Sequence, residues 1–72
     1  MSTQTFDVVG MTCGHCASAV TEELQALDGV DAVDVALVAG GTSTVTVSAQ
    51  RELEPAEVAA ALDEAGDYRL AP

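Results

Sequence analysis

Two cysteines, Cys13 and Cys16, are the residues whose type and spacing could carry chemistry in this chain. They are its only cysteines, and they stand in the run GMTCGHC at residues 10–16. Two thiolates separated by two residues can bind one soft metal ion, or they can oxidise to a disulfide. The rest of the sequence has to decide between these two chemistries.

Length and composition indicate a small folded protein that forms one domain, residues 1–72. Hydrophobic residues make up 49% of the chain, and Phe6 and Tyr68 are its only aromatic residues. A chain of this length buries only roughly 60% of the surface of its unfolded state, so we expect a shallow site rather than an enzyme cavity. We therefore expect a binding protein and not an enzyme. Met1 at the start and Pro72 just after the last predicted strand suggest a complete small protein.

The charge of the chain is strongly negative. The chain contains twelve Asp and Glu residues but only two basic residues, both Arg, apart from one His, and its formal net charge is −10. Such a surface repels phosphate backbones and anionic lipids, which argues against nucleic acid as a partner. It suits a basic docking patch on a protein; the alternative is that the acids simply keep a small protein soluble or reflect a salty cytoplasm.

The sequence also predicts where the protein acts. It has no signal peptide pattern, and no apolar run approaches the roughly 20 residues of a membrane span. We therefore expect a cytoplasmic protein without membrane insertion. Its thiols are then largely reduced, which favours metal binding or redox catalysis over a structural disulfide.

Six elements are predicted around the cysteines, in the order β-α-β-β-α-β. Strands are predicted at residues 4–9, 30–38, 44–48 and 67–70, with a hairpin turn at 39–42. The first helix begins at Gly14 or His15 and stops at Asp28-Gly29, and the second runs from Pro55 to Gly66. With right-handed crossovers, this order predicts an α+β fold of the ferredoxin-like type, a four-stranded antiparallel sheet with two helices on one face.

The spacing of hydrophobic residues predicts which side chains fill the core. In the strands we expect inward-facing side chains at Phe6, Val8, Val33, Val35, Leu37, Val45 and Val47. In the helices we expect buried stripes at Ala17, Val20, Leu24, Leu27, Pro55, Val58, Leu62 and Ala65.

In this layout both cysteines lie where the first helix begins. Cys13 falls in the loop and Cys16 in the first helical turn, where the helix dipole and unpaired backbone N–H groups favour thiolates. Soft thiolates select Cu(I) and other thiophilic ions. Two sulfurs suit a linear Cu(I) ion, whereas zinc generally takes four ligands. An exposed site with two ligands also leaves room for the thiols of a second protein, which suits transfer of the ion.

The run GMTCGHC resembles the Gly-Met-x-Cys-x-x-Cys motif of the heavy-metal-associated domain family, and the order of elements extends this resemblance over nearly the whole chain. The members most similar in pattern are bacterial copper chaperones, which pass Cu(I) to copper-transporting P-type ATPases. The resemblance implies that Cys13 and Cys16 are Cu(I) ligands and that Met11 is a buried methionine under the loop. It also implies an ATPase as the partner, or a copper-responsive repressor.

One departure from the family pattern concerns Tyr68. Bacterial members often carry Gly-Tyr after the second helix, with the tyrosine packed near the metal loop. Here Asp67 stands between Gly66 and Tyr68. Whether Tyr68 shields the loop is therefore open.

Several alternatives remain open at this point. The same domain also occurs as N-terminal modules of those ATPases, so an excised module of this kind is an alternative to a free chaperone. Cys-Gly-His-Cys is also the active-site tetrapeptide of protein disulfide isomerases, although Thr12 stands where those enzymes have tryptophan. We expect a monomer without metal, and copper that bridges two loops through four thiolates is an alternative for the loaded form. His15 is expected to face solvent, unless it contacts metal in such a dimer.

Overall fold

The computed structural model describes residues 2–12 and 14–71. Its helices and strands, in chain order, are β1 (Ser2–Val9), α1 (Gly14–Gln25), β2 (Val30–Ala36), β3 (Ser43–Ala49), α2 (Pro55–Ala65) and β4 (Arg69–Leu70). The four strands form one sheet in the order β2-β3-β1-β4, and all neighbouring strands are antiparallel. The predicted ferredoxin-like α+β fold is confirmed.

The core lies between the sheet and the two helices, which also contact each other. Alternate residues of β3, from Ser43 to Ala49, are buried, as the period of a half-covered strand requires. On β1, Val8 is buried while Asp7 is exposed, as the alternation predicts. The helices add the predicted residues Val20, Leu24, Val58 and Leu62, all with no exposed surface.

Two residues predicted to be inward-facing are exposed instead. Leu37 is 36% exposed. Strand β2 ends at Ala36, the last residue paired with β3, so Leu37 already belongs to the turn. Pro55 is exposed because it occupies the first helical position, before the first buried turn of α2. Leu53, in the connection before α2, is buried instead, and the sequence pattern did not indicate it.

The end of the first helix also differs from the prediction. Helix α1 stops at Gln25, and turns through Leu27 lead the chain to Gly29. Gly29 has the predicted left-handed conformation, with φ +82°. The prediction of a left-handed glycine was therefore correct, but the helix is shorter than expected.

An ion pair fixes the start of α2. Arg51 donates to both carboxylate oxygens of Glu57, at 2.9 and 2.7 Å, and its Nε donates to the carbonyl of Asp28 at 3.1 Å. Glu57 also accepts the backbone N–H of Glu54 at 2.9 Å. These hydrogen bonds, led by those from Arg51, lower the pKa of Glu57 to about 2. Through these hydrogen bonds, Arg51 links three segments: the loop before α2, the first turn of α2 and the turn after α1.

Candidate metal-binding site

The predicted metal loop joins β1 to α1 at one end of the sheet. It begins at Gly10, which has φ +101°, a conformation that side chains with a Cβ rarely adopt. A Cβ built on Gly10 would lie 2.9 Å from the carbonyl oxygen of Asp67, in the turn between α2 and β4. Glycine at this position therefore lets the loop and that turn approach closely.

Met11 anchors the loop from below. Its side chain has no exposed surface and belongs to the hydrophobic core. Its carbonyl accepts the N–H of Gly40, in the β2–β3 hairpin, at 3.2 Å. The expectation that Met11 packs under the loop is confirmed, and the thioether is enclosed by the protein.

Cys16 lies where it was predicted, in the first turn of α1, and its half-buried side chain packs against the core. The Thr12 hydroxyl lies 3.8 Å from Cys16 Sγ, within the range of a hydrogen bond that either group can donate. A sulfur at the start of a helix also lies in the positive field of the helix dipole, which favours a thiolate. Cys13, the second predicted ligand, lies outside the described residues.

His15 and Tyr68, the two other residues considered for the site, differ in their surroundings. His15 is exposed in the first turn of α1, as expected. Tyr68 is half-buried, and its ring packs against two glycines: a Cβ on Gly66 would lie 2.8 Å from Tyr68 Cε2, and a Cβ on Gly10 would lie 3.6 Å from Tyr68 Cδ1. Despite the inserted Asp67, the ring thus lies beside the first residue of the GMTCGHC run.

The structure gives no larger ligand cluster in the part of the chain that it describes. Within residues 2–12 and 14–71, no three His, Cys, Asp or Glu side chains come together as metal ligands. None of the helices in those residues has the length and apolar character of a membrane span. Of the two predicted ligands, Cys16 is the one that lies within the described residues.

Sequence reasoning missed the contact between the loop and the β2–β3 hairpin. The Gly40-Gly41 pair indicated a turn, but the pattern did not show that this turn would donate a hydrogen bond to Met11. Sequence reasoning also missed that the acidic residues are unevenly distributed along the chain. None of the twelve acidic residues falls in residues 8–21 or 35–50, which include the loop and the hairpin.

Comparison with known proteins gives consistent matches. The model of the heavy-metal-associated domain matches residues 5–67. A copper chaperone CopZ from Staphylococcus saprophyticus is 52% identical over 40 residues, which are 56% of this chain and 59% of that protein. The matched stretches span about three fifths of the length of the curated relatives.

Two solved structures extend the comparison over the whole fold. A protein described as a CopZ metallochaperone shares 32% identity with a TM-score of 0.80, over 97% of this chain and 100% of that one. The yeast copper transporter domain Ccc2a, solved in apo and Cu(I)-loaded states, shares 24% identity with a TM-score of 0.68, over 94% of each chain. At that identity, the second likeness shows the fold alone.

Proposed function

This chain belongs to the heavy-metal-associated domain family, and we propose that it is a copper chaperone. It binds Cu(I) through the thiolates of Cys13 and Cys16 and delivers the ion to a copper-transporting P-type ATPase. One observation carries the proposal: Cys16 lies at the start of α1, beside a loop whose buried Met11 fixes it to the core. The full-length likeness to a structure described as a metallochaperone supports it.

The chemistry we propose is ligand exchange. A thiolate of the receiving protein forms a bond to Cu(I), and one of the bonds from Cys13 or Cys16 then breaks. The copper stays Cu(I) throughout, so no electrons are transferred and no oxidant is needed. Soft thiolates on both proteins keep the ion bound at every step. The protein therefore acts as a carrier and not as a catalyst.

The proposal also covers where the exchange takes place, the oligomeric state of the protein and the recipient of the ion. We place the protein in the cytoplasm, where thiols stay reduced, as one domain over residues 1–72 and as a monomer without metal. The recipient is the metal-binding domain of the ATPase, and a copper-responsive repressor is a second recipient of the same chemistry. Copper that bridges two loops through four thiolates would give a loaded dimer.

The first experiment is a Cu(I) titration of the reduced protein without oxygen, in competition with a Cu(I) chelator. We expect one tightly bound ion per chain. Cys13→Ser and Cys16→Ser should each abolish tight binding, because a hydroxyl is a poor ligand for a soft ion. Ser18→Ala, an exposed change in the same helix, is the control and should bind as the wild type.

Two outcomes would contradict the proposal. Tight Cu(I) binding by the double Cys13→Ser, Cys16→Ser variant would show that other residues hold the ion. Weak binding of Cu(I) by the wild type, together with turnover in an insulin-reduction assay, would favour a thiol-disulfide oxidoreductase that uses Cys-Gly-His-Cys. A parallel Zn(II) titration distinguishes a zinc-handling protein, which would bind Zn(II) more tightly than Cu(I).

A further inference from the structure

Strand β2 (Val30–Ala36) forms one edge of the sheet. It pairs with β3 on its inner side, and no other strand of residues 2–12 and 14–71 lies on its outer side. The opposite edge is shorter and more polar, because it consists of the two-residue β4 and the start of β1 at residues 2–5. A seven-residue edge with unpaired backbone N–H and C=O groups can pair with a strand of another chain.

Helix α1 leaves this edge open. A groove runs between α1 and β2, and its lining includes Thr21 of the helix and residues 33–35 of the strand. The side chains of Ala32, Asp34 and Ala36 are exposed on β2. The middle of the strand is therefore accessible to solvent and is not covered by the helix.

The composition of this segment favours strand pairing. Residues 32–39 are Ala, Val and Leu with one exception, Asp34, and residues 30–39 contain neither Pro nor Gly. Valine has a high preference for strands. Segments of about six or seven residues with such a composition and little charge are the ones that pair between chains. Without its acids, β2 would therefore be expected to associate with other copies of itself.

Two features of β2 oppose such pairing. A β-bulge shifts the register with β3 between Val30 and Ala32, and the extra residue is the exposed Asp31. The Asp31 carboxylate accepts the side-chain N–H of Gln50 at 3.4 Å, beside the start of the strand. Asp34 is exposed further along β2, where the pairing with β3 is regular. Bulges and exposed charges are features by which natural sheets keep their edges unpaired.

The position of Asp34 brings like charges together when two β2 edges pair. Ala32, Asp34 and Ala36 share one face of the strand. In an antiparallel pair about a two-fold axis near the middle of β2, residues on the same face meet. The carboxylate of Asp34 then faces either the Asp34 of the second copy or one of the two alanines beside it. The two Asp34 Cβ atoms lie about 5 Å apart in the first case and about 8 Å apart in the second, where the carboxylates repel each other.

We propose that Asp34, together with the bulge at Asp31, prevents the β2 edge from pairing with a second copy of this chain. Among the described strands, β2 is the one that combines a long unpaired edge with a hydrophobic run, so its acids have a role beyond solubility. The inference does not rest on copper binding, because these residues lie outside the metal loop. It gives a physical reason for the monomer that we propose without metal.

The test removes the charge of Asp34 and compares the effect with the same change on α2. Asp34→Asn keeps the shape of the side chain, and Asp34→Val also continues the hydrophobic run. Asp63→Asn and Asp63→Val are the controls, because Asp63 is exposed on a helix, where no strand edge is available. All four variants lose one negative charge. A reductant and a metal chelator are present throughout, so that neither a disulfide nor a bound metal can join two chains.

Association is measured by sedimentation velocity at millimolar protein and about 0.15 M salt, where a screening length of about 8 Å leaves repulsion between the two carboxylates in place. We expect the wild type and both Asp63 variants to sediment as monomers. Asp34→Val should have an association constant at least about tenfold above the limit set by Asp63→Val, a difference of about 1.4 kcal/mol. Asp34→Asn should lie between these two variants, because its amide removes the repulsion but must still be desolvated.

Amide spectra of isotope-labelled Asp34→Val at several dilutions locate the contact, and the signals that shift should be those of β2. If Asp34→Val stays as monomeric as Asp63→Val, the charge on the strand excludes nothing and the inference is wrong. Equal association of both valine variants would show a general effect of charge loss and would overturn it too. Association of Asp34→Val through residues away from β2, or pairing of wild-type β2 edges, would also contradict the proposal.

Discussion

Replacing Met11 distinguishes a core residue from a metal ligand. Met11 has no exposed surface and packs under the metal loop. Truncation of a fully buried methionine to alanine costs about 2–5 kcal/mol, because the removed atoms leave a cavity. A chain of 72 residues has a total stability of only about 4–11 kcal/mol. Met11→Ala should therefore remove a large share of the stability of the protein.

The expected size of the effect can be measured by thermal unfolding. For a domain of this size, 1 kcal/mol shifts the midpoint by about 4–8 °C, so a loss of about 3 kcal/mol lowers it by about 12–24 °C. Met11→Leu keeps the volume and should cost less than about 1.5 kcal/mol. Both are compared with the wild type by circular dichroism, reduced and without copper, because a bound ion would add its own stabilisation.

Copper affinity provides the second measurement. Met11→Leu should bind Cu(I) within about threefold of the wild type, a difference under 1 kcal/mol, because the buried thioether is not a ligand. If Met11→Leu melts normally but loses tenfold or more in affinity, the thioether reaches the ion and the assignment to the core is wrong. If Met11→Ala melts near the wild-type temperature, the packing argument fails instead.

Two further predictions concern other parts of the fold. The pKa of Glu57 is lowered from 4.5 to about 2, so its stabilising effect is present above about pH 4.5 and is lost as the pH falls towards 2. Thermal unfolding across this range should show a smaller loss for Glu57→Gln than for the wild type or for Glu64→Gln, an exposed change on the same helix; equal losses would refute the assignment. Gly10→Ala should destabilise the protein by roughly 1–3 kcal/mol in urea unfolding, because φ is positive there and the new Cβ would approach the Asp67 carbonyl. Gly14→Ala, whose Cβ would meet nothing within 4 Å, is its control, and equal stability of these two glycine variants would contradict the reasoning.

The order of elements and most of the core were predictable because they depend on local patterns. Alternation in β3 and the three- and four-residue spacing in both helices follow from the period of each element. The errors lie where an element ends. Leu37 continues the alternation of β2, but the hydrogen bonds between Val38 and Ser43 turn the chain just after it. No pattern within residues 30–38 contains that information.

The candidate site was predictable only in part, for a similar reason. Cys16 in the first turn of α1 follows from a strand, a glycine and a helix in succession. The contact of Gly40 with Met11 joins residues far apart in the sequence, and it depends on the path of the hairpin in three dimensions. The position of Tyr68 beside Gly10 depends likewise on the turn at residues 66–68. Motif spacing alone determines neither contact.

The place of β1 in the sheet has a consequence for how the protein is made. β1 is the first strand to leave the ribosome, but it lies between β3 and β4, whose residues are synthesised much later. Strand pairing of this kind cannot form until the distant segments exist. Until β3 and β4 have been synthesised, the nascent chain therefore carries its cysteine pair on a segment without its neighbours. The loop between β1 and α1 consequently reaches its folded position only after β3 and β4 have been synthesised.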